Sequence, residues 1–520
     1  MRLESFKDYQ QVHIWTGILS GLLLYICFVA GAFTMFKGPL NQWALQPEAT
    51  LPAIKYEQYD TLIKKVLTAH PEASQAMTVY LPNAMPNHAP VQWVIEDEAT
   101  HATTVWQASL AANNTLISQQ VSISAIGDFI DHLHRTAGIP GGDDHDAFGI
   151  LVMGFVCILY FVAIVSGLII FLPTWFKDLF TLRKSKDNRR FWVDFHNILG
   201  ISALPFHIVI AVTTIVFAYH DVLYGAMQQL VYKERPMFNR APPTNIERNI
   251  NNLVGVDELQ QAIHKMEPKF DIAELRFARL GTPRSTVLVG GVMEGEWVRG
   301  PDYAFWVSDP YTASSGYTAM LPSVSGSAGK IVNGFFTLHF GGFGGTFIHW
   351  VYFFLGMSGA LLFFSGNVIW IESRRKKLNA KQGPIEQRRS VTILARLTTG
   401  VSLGTLVGLA LALLAVKWLP HSQLDIAYWQ TASYYIGFLL CVGAALFQRP
   451  VTTALQQLLL LVLLLLLIAA ASLAGLSASI TPSVDITVAL VCGLLSLVFA
   501  LVIKHLLRRK ATMLNDGVWY

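Results

Sequence analysis

Eight apolar runs, each close to the length needed to cross a hydrocarbon core of about 30 Å, set the frame for this sequence. They lie near residues 12–36, 148–173, 193–219, 346–371, 397–418, 428–447, 452–475 and 484–507. In lipid every such run must be a helix, because no water is present to satisfy an open backbone. Of the 520 residues 53% are hydrophobic and 14% charged, a balance far from that of a soluble chain. The expected fold class is an all-α polytopic membrane protein of about eight transmembrane helices, carrying two α+β domains outside the membrane and built around two parallel repeats.

Basic residues give the orientation. Lys177, Arg183, Lys184, Lys186, Arg189 and Arg190 follow the second run, and Arg374, Arg375, Lys376 and Lys377 follow the fourth. By the positive-inside rule these loops, 174–192 and 372–396, are cytoplasmic. Arg449 after the sixth run, and Arg508, Arg509 and Lys510 at the start of the tail 508–520, keep the same phase. Both termini are therefore expected inside. The net charge of +4 reads as topology, and no nucleic-acid partner is expected. The first run, within residues 1–36, is too long for the apolar region of a signal peptide and is expected to be retained. Cys27, Cys157, Cys441 and Cys492 all fall inside apolar runs, where thiols behave as small hydrophobes.

Two polar segments, 37–147 and 220–345, face the opposite side, and each is long enough for a small domain. Their patterns match. Asp60 opens a helical pattern that stops at Pro71 before the extended Thr78-Val79-Tyr80-Leu81, and Asp257 opens one that stops at Pro268 before Leu275-Arg276-Phe277. Each Asp is expected to cap the helix it opens.

The repeat continues into the membrane. His13 and Gly17 begin the first run as His196 and Gly200 begin the third. Leu133-His134 and Leu338-His339 precede the second and fourth runs, which carry Ser166-Gly167 and Ser365-Gly366 toward their ends. The first 371 residues thus read as two parallel halves related by an axis along the membrane normal.

Two halves supply two pairs of histidines. His13 and His196 enter from the same side at the same depth and are expected to ligate one haem iron between them. His134 and His339 form a second, outer pair. Two axial imidazoles fill the iron's coordination and favour electron transfer over oxygen binding, so two b-type haems are expected. Arg135, Arg189 and Arg190 are candidate propionate partners, and Gly17 and Gly200 are expected to let a flat macrocycle approach the backbone. Several alternatives stay open. His207, 11 residues after His196, is a rival ligand, and His145 and His349 form a rival outer pair. His132, His220 and His421 read as interfacial residues; His70, His88, His101 and His264 read as surface residues. Trp297, Trp306 and Tyr303 are read first as strand packing and second as substrate contacts.

The motifs Val12-His13-Ile14-Trp15-Thr16-Gly17, Leu133-His134-Arg135, Asp194-Phe195-His196-Asn197-Ile198-Leu199-Gly200 and Leu338-His339-Phe340-Gly341-Gly342-Phe343-Gly344-Gly345 resemble the PepSY-associated transmembrane family, which includes inner-membrane ferrisiderophore reductases. The resemblance covers roughly residues 8–376. It implies PepSY-like periplasmic domains, haem b, and reduction of a ferric siderophore or other ferric chelate in the periplasm for iron uptake. It also implies a multi-pass protein of the bacterial inner membrane. The four runs within 397–507 are a departure from that pattern. They hold few ionisable residues, with Lys417, Asp485, Lys504 and His505 near the ends of runs, which fits a packing or partner-docking module better than a coupled transporter.

No nucleotide fingerprint occurs in a cytoplasmic segment. The electron donor is therefore expected from outside, as quinol or a soluble reductase, with membrane lipid as the remaining partner. Two competing classes are a haem-free permease for a siderophore or other small solute, and a membrane-anchored PepSY protein that regulates or binds a partner. The permease reading lacks the usual buried carboxylates, and the anchor reading leaves the histidine pairing unexplained and should tolerate its loss.

Overall fold

The structure is a computed structural model that describes residues 3–44, 51–82, 84, 89–96, 103–121, 126–141, 148–175, 181–183, 188–234, 248–300, 303–317, 320–324, 326–376, 386–419, 426–476, 482–512 and 517–519. His88, His101, His145 and His421 lie outside these residues. The chain divides into two compact units. The first comprises Met1–Ala44, Ser124–Leu223 and His349–Tyr520, and the second Leu45–Ile123 and Tyr224–Ile348.

Among the described residues eight helices are long and apolar enough to cross a membrane. They belong to α1 (Leu3–Thr34), α5 (Phe148–Phe171), α7 (Leu204–Met227), α10 (Gly345–Arg374), α11 (Arg389–Trp418), α12 (Ile426–Phe447), α13 (Pro450–Ala474) and α14 (Pro482–Thr512). Between them lie α2 (Lys37–Ala44), α4 (Ile126–Thr136) and α6 (Asn188–Ser202) in the same unit. The chain is a multi-pass membrane protein. Its leucines show why: on α13 Leu458, Leu461, Leu464 and Leu465 are buried, while Leu459, Leu463 and Leu466 are exposed. On α14 the exposed stripe is Leu490, Leu494, Leu497 and Leu501, a helical spacing that gives lipid one whole face.

The third apolar run is interrupted. A single helix over 193–219 is expected from hydropathy, but α6 ends at Ser202 and α7 begins at Leu204. Pro205 is the cause, since it has no N–H to donate and its ring clashes with the carbonyl four residues earlier.

The helices α11 and α12 pack closely through glycine. A Cβ at Gly400 would lie 2.7 Å from Ala445 Cβ, one at Gly404 3.1 Å from Cys441 Cβ, and one at Gly408 2.9 Å from the Tyr434 carbonyl. Small residues four apart let the two backbones approach, as in other membrane helix pairs.

The second unit contains α3 (Tyr59–Ala69), α8 (Val256–His264), α9 (Gly326–Phe340) and eight strands. The strands are β1 (Ala76–Tyr80), β2 (Val91–Glu96), β3 (Thr103–Leu110), β4 (Leu116–Val121), β5 (Asp271–Ala278), β6 (Thr286–Val292), β7 (Ala304–Ser308) and β8 (Ser315–Tyr317). Helix followed by strands is the pattern expected in each segment. The two segments do not build separate sheets, however: all eight strands form one sheet of order β4-β3-β2-β1-β5-β6-β7-β8. The join is antiparallel β1 with β5, Thr78 opposite Arg276. Two four-strand meanders meeting edge to edge leave neither first strand exposed as a pairing edge. Leu62 and Val66 of α3 and Leu259 and Ile263 of α8 bury against Val79, Leu275, Val289 and Trp306. Trp306 is thus core, as strand packing requires, whereas Trp297 is half exposed.

Neither Asp caps the helix it opens: Asp257 makes no side-chain cap on α8. Asp60 does not cap its own helix; its carboxylate accepts the Val256 N–H of α8 at 2.9 Å. A Cβ at Gly255 would come within 2.8 Å of that carboxylate. An orphan donor at the start of α8 is therefore satisfied by a side chain of α3. Asp60→Ala is expected to cost about 1 kcal/mol, read as faster hydrogen exchange in the first turn of α8; unchanged exchange there would show that this bond does not hold the two halves together.

Candidate functional site

The paired histidines of the membrane unit come together. The rings of His13 on α1 and His196 on α6 have centroids 6.2 Å apart and stand at 79° to one another. Each ring is held by a carbonyl of another membrane helix, α5 for His13 and α10 for His196. His13 Nδ1 donates to the Ala163 carbonyl of α5 at 2.9 Å, and His196 Nδ1 donates to the Leu362 carbonyl of α10 at 3.1 Å. A carbonyl oxygen only accepts, so the proton sits on Nδ1 and Nε2 is left with a free lone pair.

Four residues beyond each carbonyl is a glycine. A Cβ at Gly167 would lie 2.8 Å from His13 Cε1, and one at Gly366 would lie 3.4 Å from His196 Cε1. This explains the Ser-Gly pairs, whose recurrence is visible in the sequence without its purpose. The two serines differ: Ser365 Oγ also reaches His196 Nδ1 at 3.0 Å, whereas Ser166 Oγ stays on its own helix, donating to the Val162 carbonyl at 2.6 Å and lying 3.2 Å from the Ala163 carbonyl.

His134 on α4 repeats the arrangement. Its Nδ1 donates to the Cys27 carbonyl of α1 at 3.0 Å, and a Cβ at Gly31, again four residues on, would lie 2.6 Å from that nitrogen. The Cys27 thiol donates in return to the His134 carbonyl at 3.0 Å. Three histidines thus share one mounting, in which a carbonyl fixes the tautomer and a glycine makes room for the ring. The close-approach glycines are Gly31, Gly167 and Gly366. Of the two expected in this role, Gly17 has nothing within 4 Å of a Cβ and Gly200 only an ordinary contact with Leu362 at 3.5 Å.

The other named positions are placed as follows. His207, 1% exposed on α7, is bonded through Nδ1 to the Tyr160 hydroxyl at 2.6 Å and packs against Phe28 and Phe206; it lacks the carbonyl mounting. His339 lies on α9 in the second unit, and His349 opens the membrane unit's last segment in the first turns of α10. His145, its rival partner, lies outside the described residues. Arg135 approaches Asp131 through Nε at 3.6 Å. Arg189 and Arg190 are exposed in the first turn of α6. Just beyond them Asp194, 2% exposed, takes two hydrogen bonds from the Arg183 side chain at 3.0 and 2.6 Å, tying the preceding loop to the helix that carries His196.

Haem can be tested against this geometry. A metal–imidazole bond is about 2 Å and the ring centre lies about 1 Å beyond the nitrogen, so two imidazoles on one ion stand roughly 6 Å apart. The observed 6.2 Å fits. Among the described residues no group of three or more His, Cys, Asp or Glu side chains is arranged to hold a metal ion. A bare ion needs such a set, while a metal that brings its own equatorial nitrogens needs only two axial ligands. The residues present therefore fit haem. Ser365→Ala is expected to weaken haem retention by about 10-fold, the ordinary size of a ligand-orienting contact, while Ser166→Ala leaves it unchanged. Pyridine haemochrome assay after dilution distinguishes them, and equal losses would deny Ser365 its role.

Compared with known protein families, residues 10–373 match the profile described as the PepSY-associated TM region. No curated protein matches the chain significantly.

Proposed function

The chain belongs to the PepSY-associated transmembrane family, and from that premise we propose that it is a haem b electron-transfer protein of the bacterial inner membrane. Its second unit faces the periplasm, where it reduces ferric iron held in a chelate, a ferric siderophore above all, for iron uptake. The observation that carries this reading is the approach of the His13 and His196 rings to 6.2 Å, with no third protein ligand beside them among the described residues.

His13 and His196 hold one haem through Nε2. The carbonyls of Ala163 and Leu362 keep each ring in its ligating tautomer and raise its basicity. His134, mounted the same way, is assigned to a second haem. Haem b with two imidazole ligands supplies a one-electron carrier with no open position for oxygen. α1 serves both sites, presenting His13 to one and the Cys27 carbonyl to the other. Those positions are 14 residues apart in sequence, or about 21 Å along a helix. The sites therefore lie at two depths, and neither has to bridge the whole hydrocarbon thickness. Arg135, Arg189 and Arg190 remain the side chains offered to propionates. Reduction to Fe(II) weakens the grip of hard oxygen donors, so iron is released while the chelator survives. The donor, quinol or a soluble reductase, is supplied from outside the chain.

The test is anaerobic mixing of the pre-reduced full-length protein with a ferric siderophore and a ferrous-iron indicator. Haem reoxidation with matching ferrous yield is expected. Reduced haem that stays reduced against every ferric chelate would remove iron as the substrate while leaving the haem assignment standing.

A further inference from the structure

The helices α11 to α14 lie beyond the family's region, and their packing points to a task. α4, which carries His134, has only 11 residues. A helix this short is marginal alone, yet an axial ligand has to be held within about 0.5 Å of its working position. It ends in a turn with Ala137 at φ +52° and Gly138 at φ +77°, so its C-terminus stores strain that something must hold.

Two groups of contacts hold it. On one side, Lys37 of α2 pairs with Asp128 at 2.8 Å and Asp131 at 3.3 Å, and Asn41 Oδ1 accepts the Gly127 N–H at 2.7 Å. A Cβ at Gly127 would lie 2.6 Å from the Lys37 carbonyl, so α2 and α4 are in close contact. On the other side, Tyr434 of α12 meets Phe129 edge to face at 5.4 Å, and the Tyr435 hydroxyl donates to the Gly138 carbonyl at 3.2 Å, across the strained turn.

α2 is in turn fixed by the same four-helix module. The Lys417 ammonium of α11 donates to the Trp43 carbonyl at 2.7 Å, lies 4.4 Å from the centre of the Trp43 indole, and pairs with Asp485 of α14 at 3.4 Å. Trp43 Nε1 donates to Ser472 Oγ of α13 at 3.2 Å. The side chains of Lys417 and Asp485 are 13% and 3% exposed. A desolvated pair of this kind tolerates burial only when its geometry is satisfied, as it is here. Lys417 and Asp485, distant in sequence and each near a helix end, meet on the residue that fixes α2.

We propose that α11 to α14 are a clamp on α4, and that Lys417, through Trp43 and α2, and Tyr435, through the Gly138 turn, are positioning residues for His134. This inference rests on His134 being a haem ligand. It gives the four additional spans a role in setting one redox site rather than in transport.

The experiment compares wild-type full-length protein with Tyr435→Phe, which removes one oxygen, and with the double variant Lys417→Met/Asp485→Asn, which leaves no unpaired buried charge. Redox titration and haem retention are followed for each haem, with His134→Ala identifying which signal belongs to that site. Hydrogen exchange across residues 126–138 supplies a readout that needs no haem. Both variants are expected to shift the midpoint of the His134 haem and loosen its retention by about 10-fold, to leave the His13–His196 haem unchanged, and to speed exchange in α4. Equal shifts at both haems, or unchanged exchange in α4, would overturn the clamp. If the wild type holds no haem, the assignment of His134 falls, and the exchange result alone decides whether the module holds α4.

Discussion

Gly167→Val is expected to abolish the haem held by His13 and His196 while leaving the His134 haem in place. A Cβ at Gly167 would stand 2.8 Å from His13 Cε1 and 3.0 Å from Nδ1, closer than real Cβ contacts allow. The ring cannot retreat without breaking its bond to the Ala163 carbonyl, which lies on the same helix. Once that bond goes, the tautomer is no longer fixed and the ring no longer keeps its place beside His196. Loss of a ligand's orienting contact costs about 10- to 100-fold in affinity, and displacement of the ring adds to it. The equivalent position is more lenient: a Cβ at Gly366 would sit 3.4 Å from the His196 ring, so Gly366→Ala is expected to keep haem where Gly167→Ala weakens it. Haem quantification on the purified variants reads both, and a haem-replete Gly167→Val protein would mean that His13 does not ligate from its present position.

Gly408→Leu is expected to unfold the contact between α11 and α12. The added Cβ would lie 2.9 Å from the Tyr434 carbonyl oxygen and 2.9 Å from its ring. A backbone oxygen cannot move aside as a flexible side chain does, so the two helices must part. Overpacking of this kind costs about 3 kcal/mol, and here it also displaces Tyr434 and Tyr435 from α4. Gly443→Leu on the same helix pair is the control, because nothing lies within 4 Å of a Cβ there; replacing glycine in a helix interior is otherwise favourable by up to about 1 kcal/mol. Thermal unfolding in detergent should drop for Gly408→Leu and hold or rise for Gly443→Leu. Equal behaviour of the two would mean that close approach at Gly408 does not hold the module together.

The apolar runs alone indicate the eight membrane helices, because length and hydropathy are local properties and lipid leaves the backbone no alternative to helix. The likeness of the two halves, and with it the meeting of His13 with His196, is legible as a repeat of motifs. Other features depend on partners far away in the chain. That Asp60 caps α8 rather than α3 follows from the two meanders joining edge to edge in one sheet, which no window around Asp60 reveals. One sheet in place of two follows from β1 pairing with β5, nearly two hundred residues apart in sequence. The break at Ala203 was locally signalled by Pro205, but within an apolar run a proline is also compatible with a kink.

The role of Ser-Gly is the instructive case. The pair recurs visibly, but a glycine in a membrane helix has many uses, and only the histidine ring lying against it selects one. Gly31 carried no repeat signal, yet it serves His134 in the same way. In the sequence Lys417 and Asp485 are charges near the ends of apolar runs. Their meeting over Trp43 required the packing of three helices.

The claim on which the account stands is that His13 and His196 share one iron. Reduced-minus-oxidised spectra with haem quantification on wild type, His13→Ala, His196→Ala and His134→Ala test it most directly. The account predicts that the His13 and His196 variants lose the same haem, that their combination loses no more than either alone, and that His134→Ala loses a different one. Loss of different haems by His13→Ala and His196→Ala, or wild-type protein that carries no haem when purified from cells amply supplied with it, would contradict it.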